Sequence, residues 1–438
     1  MFYKVRFATE GDHAEAERPS DAPDRSNLLM IFHRRSFPSF TTWAGLLAVV
    51  TGLGLPEAGR AATNHYSATS LWQADVGYQS QSSPAVATNG TIYVTTGDGR
   101  LLALNDDGSP QWVFRFHFES FSTPAVGTDG SIYFGARNRH LYAVDAKGAK
   151  MWSFRTGGWV DASPALGEDG SVYCGSWDKH FYAFAPDGHK RWDFKTGGPI
   201  LSSAAIDTTG GIYFGSHDHK FYALNPDGTK RWEFATRGAI SSSPAVGAEG
   251  ELYFTSVDGN LYALNADGTQ RWALRTGGMT PSSPVLGPDG NIFLSVNQTH
   301  CAISRAGKLL WQRGFWNPHP GGFGETAAAV RADGSVVFAG GDGYVMTVAT
   351  DSGDKDWLWN YWLYGRGYSA PLILPQGYVV VMSTAGKLAK LDQRAPLANT
   401  PWPMFRGNPQ RTGRIYTPSA NTTATDARSP DPAQNSTP

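Results

Sequence analysis

Three carboxylates, Glu119, Asp161 and Glu325, stand where a general base or a cation ligand would be expected. Each lies in a segment that we expect to connect one β-sheet to the next, near the centre of the molecule. A carboxylate in such a place can accept a proton from a bound substrate. Because no spacing in the sequence fixes the distances between the three, we predict no catalytic pair and assign no catalytic residue.

Basic side chains recur at equivalent positions of three short loops. These side chains are Arg137, Arg139, His140, Lys179, His180, His217, His219 and Lys220, and Trp177 lies beside Lys179. We interpret them as a basic stripe that fits a carboxylate or a phosphate, or alternatively as a solvated rim. His217 and His219 are two residues apart in a hairpin, so alternation points them to opposite sides and we predict no metal site.

Aromatic side chains crowd two further loops, residues 314–325 and 360–368. The residues of interest are Phe315, Trp316, Phe323, Tyr361, Trp362, Tyr364 and Tyr368, with His319 and Arg366 among them. Such a platform can bind a peptide, a sugar or a planar cofactor. The same rings could instead pack the loops against the strands beneath, and the sequence leaves both interpretations open.

Composition and charge exclude several classes of protein. With 51 Gly, 27 Pro and 13% aromatic residues, the chain favours many short strands over long helices. Lys plus Arg number 37 against 38 Asp plus Glu, so no overall field exists to hold a nucleic acid or an anionic membrane. Cys174 and Cys301 are too few for a disulfide scaffold and lack zinc-site spacing.

Residues 30–61 follow the order of a signal peptide. Met30 precedes a basic stretch at 33–35 and an apolar run from 43 to 55, and Gly59 and Ala61 are the small residues of a cleavage site. We expect translation from Met30, residues 1–29 as a non-native leader, and a periplasmic or secreted protein. The apolar run is too short for a comfortable membrane span, although a membrane-anchored N-terminus is the alternative.

The elements that must position these side chains repeat about every 40 residues. Eight strings such as SSPAV mark the units, and their third residues are Pro84, Pro124, Pro164, Ala204, Pro244, Pro284, Ala328 and Pro371. A glycine follows six residues after each, preceded in five units by Asn or Asp, which we interpret as a two-residue hairpin turn with positive φ at both central positions. Strands rich in aromatic and β-branched residues come next. This period predicts a propeller.

Counting strands A to D predicts how the ring closes. Eight A-B-C sets lie between Ser82 and Asp392, whereas the outer-strand tryptophans begin before them; they are Trp72, Trp112, Trp152, Trp192, Trp232, Trp272, Trp311 and Trp357. We expect each indole to dock one blade on the next through its N–H. The N-terminal segment should then supply the outer strand of the last blade. We therefore predict an all-β chain, a single eight-bladed propeller of four-stranded antiparallel blades over 62–414, and a disordered tail over 415–438.

The two faces of such a disc differ in sequence. One face, here called the turn face, carries the A-to-B and C-to-D turns, which repeat with little change. The other, the loop face, carries the B-to-C and D-to-A connections, which vary from blade to blade and include all the candidate residues above except the tryptophans of strand D. Diverse loops on rigid strands carry recognition, so we predict that the loop face binds.

The units resemble the repeats of the PQQ-like β-propellers, whose pattern runs Ala-x-Asp/Asn, a Gly turn and Trp. Here Ala143, Asp145, Gly148 and Trp152 fit it, the likeness covers nearly all of 70–395, and residues 401–414 resemble a segment common at the ends of such proteins. The chain resembles the BamB family of outer-membrane assembly factors, although no lipobox cysteine is present. That implies an exported, monomeric scaffold without a cofactor, bound to a protein or peptide of the cell envelope.

The alternative implied by the same resemblance is a PQQ- and calcium-dependent dehydrogenase of alcohols or sugars. Enzymes of that kind commonly carry an adjacent cysteine pair and long insertions, and the sequence shows neither. Since the cofactor supplies the electrophile of that chemistry, a chain without its clamp has little to orient. We therefore expect no PQQ and no metal.

Overall fold

The computed structural model describes residues 69–77, 81–276, 282–296, 299–314, 327–339, 344–350, 359–362, 369–393 and 395–415. These residues form eight four-stranded antiparallel sheets, the eight-bladed propeller that the repeats predict. Within them no helix is long and apolar enough to cross a membrane. The predictions for the leader, the signal peptide and the tail after residue 415 lie outside the described residues.

Strands A to D of each blade follow one another in the chain, except that blade 8 takes its outer strand from the N-terminus. Blade 1 consists of β2 (Ala85–Val86), β3 (Ile92–Thr95), β4 (Arg100–Leu104) and β5 (Pro110–Arg115). Blade 2 consists of β6 (Ala125–Val126), β7 (Ile132–Ala136), β8 (His140–Val144) and β9 (Lys150–Arg155). Blade 3 consists of β10 (Ala165–Leu166), β11 (Val172–Gly175), β12 (His180–Phe184) and β13 (Lys190–Lys195). Blade 4 consists of β14 (Ala205–Ile206), β15 (Ile212–Gly215), β16 (Lys220–Leu224) and β17 (Lys230–Ala235).

The second half of the ring repeats this plan. Blade 5 consists of β18 (Ala245–Val246), β19 (Leu252–Thr255), β20 (Asn260–Leu264) and β21 (Gln270–Arg275). Blade 6 consists of β22 (Val285–Leu286), β23 (Ile292–Val296), β24 (Thr299–Ile303) and β25 (Leu309–Gly314). Blade 7 consists of β26 (Ala329–Val330), β27 (Ser335–Ala339), β28 (Tyr344–Ala349) and β29 (Trp359–Trp362). Blade 8 consists of β30 (Leu372–Ile373), β31 (Val379–Met382), β32 (Lys387–Leu391) and β1 (Ser70–Asp75).

The core lies between neighbouring blades. Strands A and B are buried throughout, because each sheet is covered on both faces, while the described outer strands of blades 1 to 5 alternate between exposed and half-buried residues. Ring stacking joins blades at equivalent places: Phe181 stacks on Phe214 and Phe221 on Phe254, each pair with centroids 4.1 Å apart. The packing of one blade thus repeats in the next.

The tryptophans dock as the sequence predicts. Trp72 Nε1 donates to the carbonyl of Asp106 in the next blade at 2.8 Å, and an added Cβ at the adjacent Gly108 would lie 2.8 Å from the indole ring. Equivalent bonds to the next blade are made by Trp112, Trp152, Trp192, Trp232, Trp272 and Trp311. Trp357 lies outside the described residues.

The N-terminal closure is also confirmed. Strand β1 pairs antiparallel with β32, with Trp72 opposite Lys390 and Asp75 opposite Lys387. Lys387 Nζ lies 2.6 Å from Asp75 Oδ2, which adds an ion pair at the end of the ladder. The first described strand therefore covers the edge of the last blade.

The A-to-B turns differ from the predicted two-residue type. In blade 1 the Gly90 N–H donates to Ala87 O at 3.0 Å and the Ala87 N–H donates to Thr91 O at 2.9 Å, which defines a three-residue turn. Gly90 has φ 87° and Asn89 has no positive φ. The Asn89 side chain instead accepts the Thr91 N–H at 3.0 Å. The Asn or Asp therefore serves to bond the turn backbone, not to adopt a left-handed conformation.

Residues 395–415, here called the axial plug, return to the centre of the ring. Backbone N–H groups of six inner strands donate to plug carbonyls: Val86 to Pro409, Val126 to Gln410, Leu166 to Thr412, Ile206 to Gly413, Leu286 to Trp402 and Val330 to Pro403. Trp402 and Met404 are buried there. Because these donors stand where strand A enters the A-to-B turn, the plug fills the axis toward the turn face.

Candidate functional site

An interlocked cluster of side chains occupies the loop face over blades 2 to 4. Arg137, in a B-to-C loop, donates from Nε and Nη2 to the two carboxylate oxygens of Asp161 at 3.1 and 3.2 Å, and its Nη1 lies 3.3 Å from Glu119 Oε2. Its Cζ lies 3.8 Å from the ring centroid of Phe121 and 4.7 Å from that of Trp159. The guanidinium is held by two carboxylates and two aromatic rings from adjacent D-to-A loops.

The cluster continues into blades 3 and 4. Trp177 Nε1 donates to Asp161 Oδ2 at 2.9 Å, and its ring lies edge-on to Trp159 with centroids 5.1 Å apart. On its other side the Trp177 centroid is 6.4 Å from that of His217, whose Nε2 lies 2.8 Å from Ser241 Oγ. Five of the predicted residues, Glu119, Arg137, Asp161, Trp177 and His217, are thus brought together. The structure places them in one connected row.

His217 is a neutral member of this row at pH 7. Burial lowers the pKa of His217 below its ordinary value, and the nearby His219 lowers it further, against the opposing effect of Asp218. Over the described part of the chain, no group of three His, Cys, Asp or Glu side chains is placed to hold a metal ion. The Nε2 atom of His217 is engaged by the Ser241 hydroxyl, which fixes the ring beside Trp177.

Three exposed basic residues stand at the third position of the same B-to-C loops. Arg139, Lys179 and His219 have φ of 68°, 74° and 70°. The equivalent positions of blades 1 and 5 are Gly99 and Gly259, also with positive φ. A side chain in this left-handed region costs on the order of 1 kcal/mol that glycine avoids. Three adjacent blades therefore carry a basic side chain where the backbone favours glycine.

The middle residue of each loop has a structural role. Asp178 Oδ2 accepts the Gly157 N–H at 2.7 Å and the Tyr182 hydroxyl at 2.8 Å. Asp218 does the same for Gly197 in the next blade, at 2.7 Å. These carboxylates fasten the D-to-A loop to the B-to-C loop, so the outer residues of each loop are held on a rigid base.

The predicted basic stripe divides into separate groups. Arg137 is neutralised within the cluster, whereas Arg139, Lys179 and His219 are exposed. His180 and Lys220 begin strand C of their blades and pair with residues of strand D. His180 pairs with Asp193 at 2.8 Å, and Lys220 pairs with Glu233. Sequence position alone could not show this division, because the ion pairs cross between strands.

Several candidate residues lie outside the described residues: Phe315, Trp316, His319, Glu325, Tyr364, Arg366 and Tyr368. Tyr361 lies in strand β29 with its Cα opposite that of Val345, so the outer strand runs through Trp362, beyond the predicted start of the loop at 360. Conversely, the rings of Phe121 and Trp159 were not among the predicted site residues. The only indication of them in the sequence is that each is an aromatic residue at one end of a variable loop.

The chain is similar in sequence to a known protein family and in fold to solved structures. The sequence matches the model of a family described as outer membrane protein assembly factor BamB over residues 59–176, 120–227 and 177–395. The fold is similar to that of BamB from Moraxella catarrhalis, with TM-score 0.62 and 16% identity over 74% of this chain and 98% of that chain. It is also similar to a europium-containing methanol dehydrogenase, with TM-score 0.61 and 14% identity over 75% and 87%. No curated protein sequence matches.

Proposed function

The chain belongs to the family of outer membrane protein assembly factor BamB, and from that premise we propose that it is an exported, non-catalytic binding module. Its loop face holds a protein or peptide partner of the cell envelope. The export half of this proposal rests on the signal-like order of residues 30–61. The binding half rests on the loop face over blades 2 to 4.

One observation carries the binding proposal: Arg139, Lys179 and His219 keep basic side chains at left-handed backbone positions. Strained conformations of this kind concentrate at functional sites, because folding alone would favour glycine there. Blades 1 and 5 use glycine at the same position and fold into the same hairpin. The three side chains are therefore best explained by a ligand that they contact.

The chemistry of the surface indicates the kind of partner. Phe118 and Trp159 on the same face are 57% and 42% exposed. Arginine and aromatic residues are the side chains that most often anchor protein interfaces. Exposed basic side chains on the same face as exposed rings fit a segment that carries both carboxylates and apolar side chains. We infer an acidic, partly apolar stretch of protein as the partner.

The quinoprotein alternative finds little support in the described residues. Cys174 lies in β11 of blade 3 and Cys301 in β24 of blade 6, both buried, and burial raises the pKa of each thiol to about 12. An adjacent cysteine pair is therefore impossible, and the described part of the chain offers no cluster of metal-ligating side chains. Neither observation supports a quinone and calcium site among the described residues.

A photo-crosslinking experiment tests the proposal. A photoactivatable residue replaces Phe118 on the loop face or Met151 on outer strand β9, both exposed apolar positions. In the native envelope we expect crosslinked adducts from position 118 and not from 151. The triple variant Arg139→Gly, Lys179→Gly and His219→Gly should fold at least as well as the wild type and reduce the adduct at least tenfold.

A triple variant on the opposite face is the control. Lys150→Ser, Lys190→Ser and Lys230→Ser remove three cations from the turn-face ends of the same blades. Adduct formation should then persist. Equal loss in both triple variants would contradict the face assignment. A rise in melting temperature with PQQ and calcium, together with dye reduction by an alcohol or an aldose, would contradict the binding module and support the dehydrogenase.

A further inference from the structure

A ring of hydroxyl groups surrounds the propeller axis and takes no part in the partner surface above. The hydroxyls belong to the residue before the repeat anchor in blades 1 to 6: Ser83, Thr123, Ser163, Ser203, Ser243 and Ser283. Each accepts the backbone N–H of its counterpart one blade earlier, at 2.9 to 3.1 Å. The ring is interrupted at blades 7 and 8, which have Ala327 and Ala370 there.

All six side chains line an axial cavity of about 180 Å³, many times the space that one water needs. Each hydroxyl oxygen already accepts a bond, and among the described residues none of the six has an acceptor for its own proton. The preceding serine behaves differently, since Ser202 Oγ donates to Ser242 O at 2.8 Å and Ser242 Oγ to Thr255 O at 2.8 Å. Six hydroxyl donors therefore remain for whatever occupies the cavity.

Two fully buried arginines of the axial plug lie next to this ring. Arg411 donates to Pro84 O at 3.1 Å and to Ala370 O at 3.2 Å, and Arg406 donates to Pro164 O. Pro84 and Pro164 directly follow ring residues, and Ala370 occupies a ring position itself. The guanidinium groups thus lie beside the inner strands, either at the level of the hydroxyls or one residue further toward the turn face.

Neither arginine has a carboxylate partner in the described part of the chain, and Arg406 Nε and Nη1 have no hydrogen-bond partner there. Burial lowers the pKa of both guanidinium groups to about 9, with Arg406 also lowering that of Arg411, so both are charged at pH 7. Asp161 is the one carboxylate among the residues that line the cavity, and Arg137 binds both of its oxygens. Buried positive charge without a counter-ion is costly.

We propose that the axial cavity binds a small oxyanion, a carboxylate or a phosphate, through the hydroxyl ring, with Arg406 and Arg411 supplying positive charge from beneath. Phe405 lines the cavity, and its ring centroid lies 5.7 Å from Arg411 Cζ. The hydroxyls therefore contact the anion, whereas the guanidinium groups act through their field. That field is strong in a low-dielectric interior.

Two sources could supply the oxyanion: a free ion, or a carboxylate of a bound protein segment. The full chain is titrated calorimetrically with inorganic phosphate and, separately, with Gly-Gly-Glu. Gly-Gly-Gln amide serves as the control that lacks a carboxylate. We expect saturable binding of phosphate. Displacement of phosphate by Gly-Gly-Glu but not by the amide would support the site and assign it to a partner's carboxylate, and absence of displacement would assign it to a free ion.

Variants locate the site. Ser163→Ala, Ser203→Ala and Ser243→Ala together should lower phosphate affinity at least tenfold, while Ser202→Ala, which removes a hydroxyl bonded to backbone, should leave it unchanged. If the triple variant does not fold, Ser203→Ala alone should show a smaller loss in the same direction. The proposal is overturned if neither probe binds saturably, or if the folded serine variants bind phosphate as the wild type does.

Discussion

The first and the last described segments of the chain both complete the propeller, but in different places. The N-terminal strand β1 adds to the outer edge of blade 8, where its residues alternate between half-buried and exposed. The C-terminal axial plug lies inside the ring, where Trp402, Met404 and Arg411 are at most 2% exposed. One end pairs with a single sheet and the other bonds to six inner strands. The outer end closes the ring, and the inner end ties the blades together.

The difference in burial between the two ends affects how much each contributes to stability. The ion pair of Asp75 and Lys387 at the end of β1 is largely exposed, and exposed pairs contribute little. The plug instead buries large apolar side chains and satisfies backbone donors of the inner strands. Burial and backbone pairing dominate stability. We therefore expect the inner end to contribute more to stability than the outer end.

The largest effect should come from ending the chain at Gln393, which removes the whole plug. Loss of Trp402 and Met404 alone should cost at least about 5 kcal/mol, since truncation of a buried Trp costs roughly 3–5 kcal/mol and that of a buried Met roughly 2–5 kcal/mol. Denaturant unfolding measures the loss. A chain that ends at Ile415 keeps every described plug contact and should unfold like the full chain.

If the shortened chain cannot be purified, Met404→Ala in the full chain is the second measurement. Its side chain is fully buried and should cost about 2–5 kcal/mol. Wild-type stability for either variant would show that the plug is peripheral, and the comparison of the two ends would fail.

A smaller but distinct effect should follow from starting the chain at Gly77, which removes β1. Strand β32 would then present an unpaired edge, so we expect a lower melting temperature and association of copies through that edge. Size-exclusion profiles and melting curves of this variant are compared with those of a chain that starts at Thr69. Equal behaviour of the two would remove the closure argument.

A single substitution probes the outer end more finely. Trp72→Phe keeps a large ring but removes the N–H that donates to Asp106 O. We expect a loss of about 1 kcal/mol, the net value of one hydrogen bond in a half-exposed place. Trp112→Phe removes the equivalent bond between blades 1 and 2 and should cost a similar amount. A much larger loss at Trp72 would mean that ring closure depends on this one contact.

The smallest effect is a dependence of local stability on pH, and of the two ends only β1 should show it. The hydrogen bond from Lys387 holds the pKa of Asp75 below its ordinary value. The stabilisation that the Asp75 carboxylate gives to the folded state is therefore present above about pH 4 and is lost as pH falls through the lowered pKa. The plug arginines stay charged throughout this range. Hydrogen-exchange protection, corrected for intrinsic rates, should fall for β1 amides between pH 5 and pH 3. Val86 and Val126, which donate to the plug, should keep theirs.

The candidate site was predictable in part. Variable loops identified Glu119, Arg137, Asp161, Trp177 and His217, because residues that break a repeat at one face are visible in a single sequence. The ion pairs of Arg137 and Lys220 were not predictable, since the partner of Arg137 lies in another loop and that of Lys220 in another strand. The left-handed conformations of Arg139, Lys179 and His219 were missed, although Gly99 and Gly259 at the same position of other units were a signal for them.

The sequence by itself determined the eight four-stranded blades, the docking of Trp72 on the next blade and the N-terminal closure. Each of these depends on residue types that recur about every 40 residues and on local backbone preferences. Only the tertiary structure decided that Arg411 bonds to Pro84, 327 residues away, and that Thr123 accepts the N–H of Ser83. Periodicity specifies which residues repeat, but the axis of the ring is formed only when all blades are assembled. The plug and the hydroxyl ring are therefore properties of the closed ring, not of any one unit.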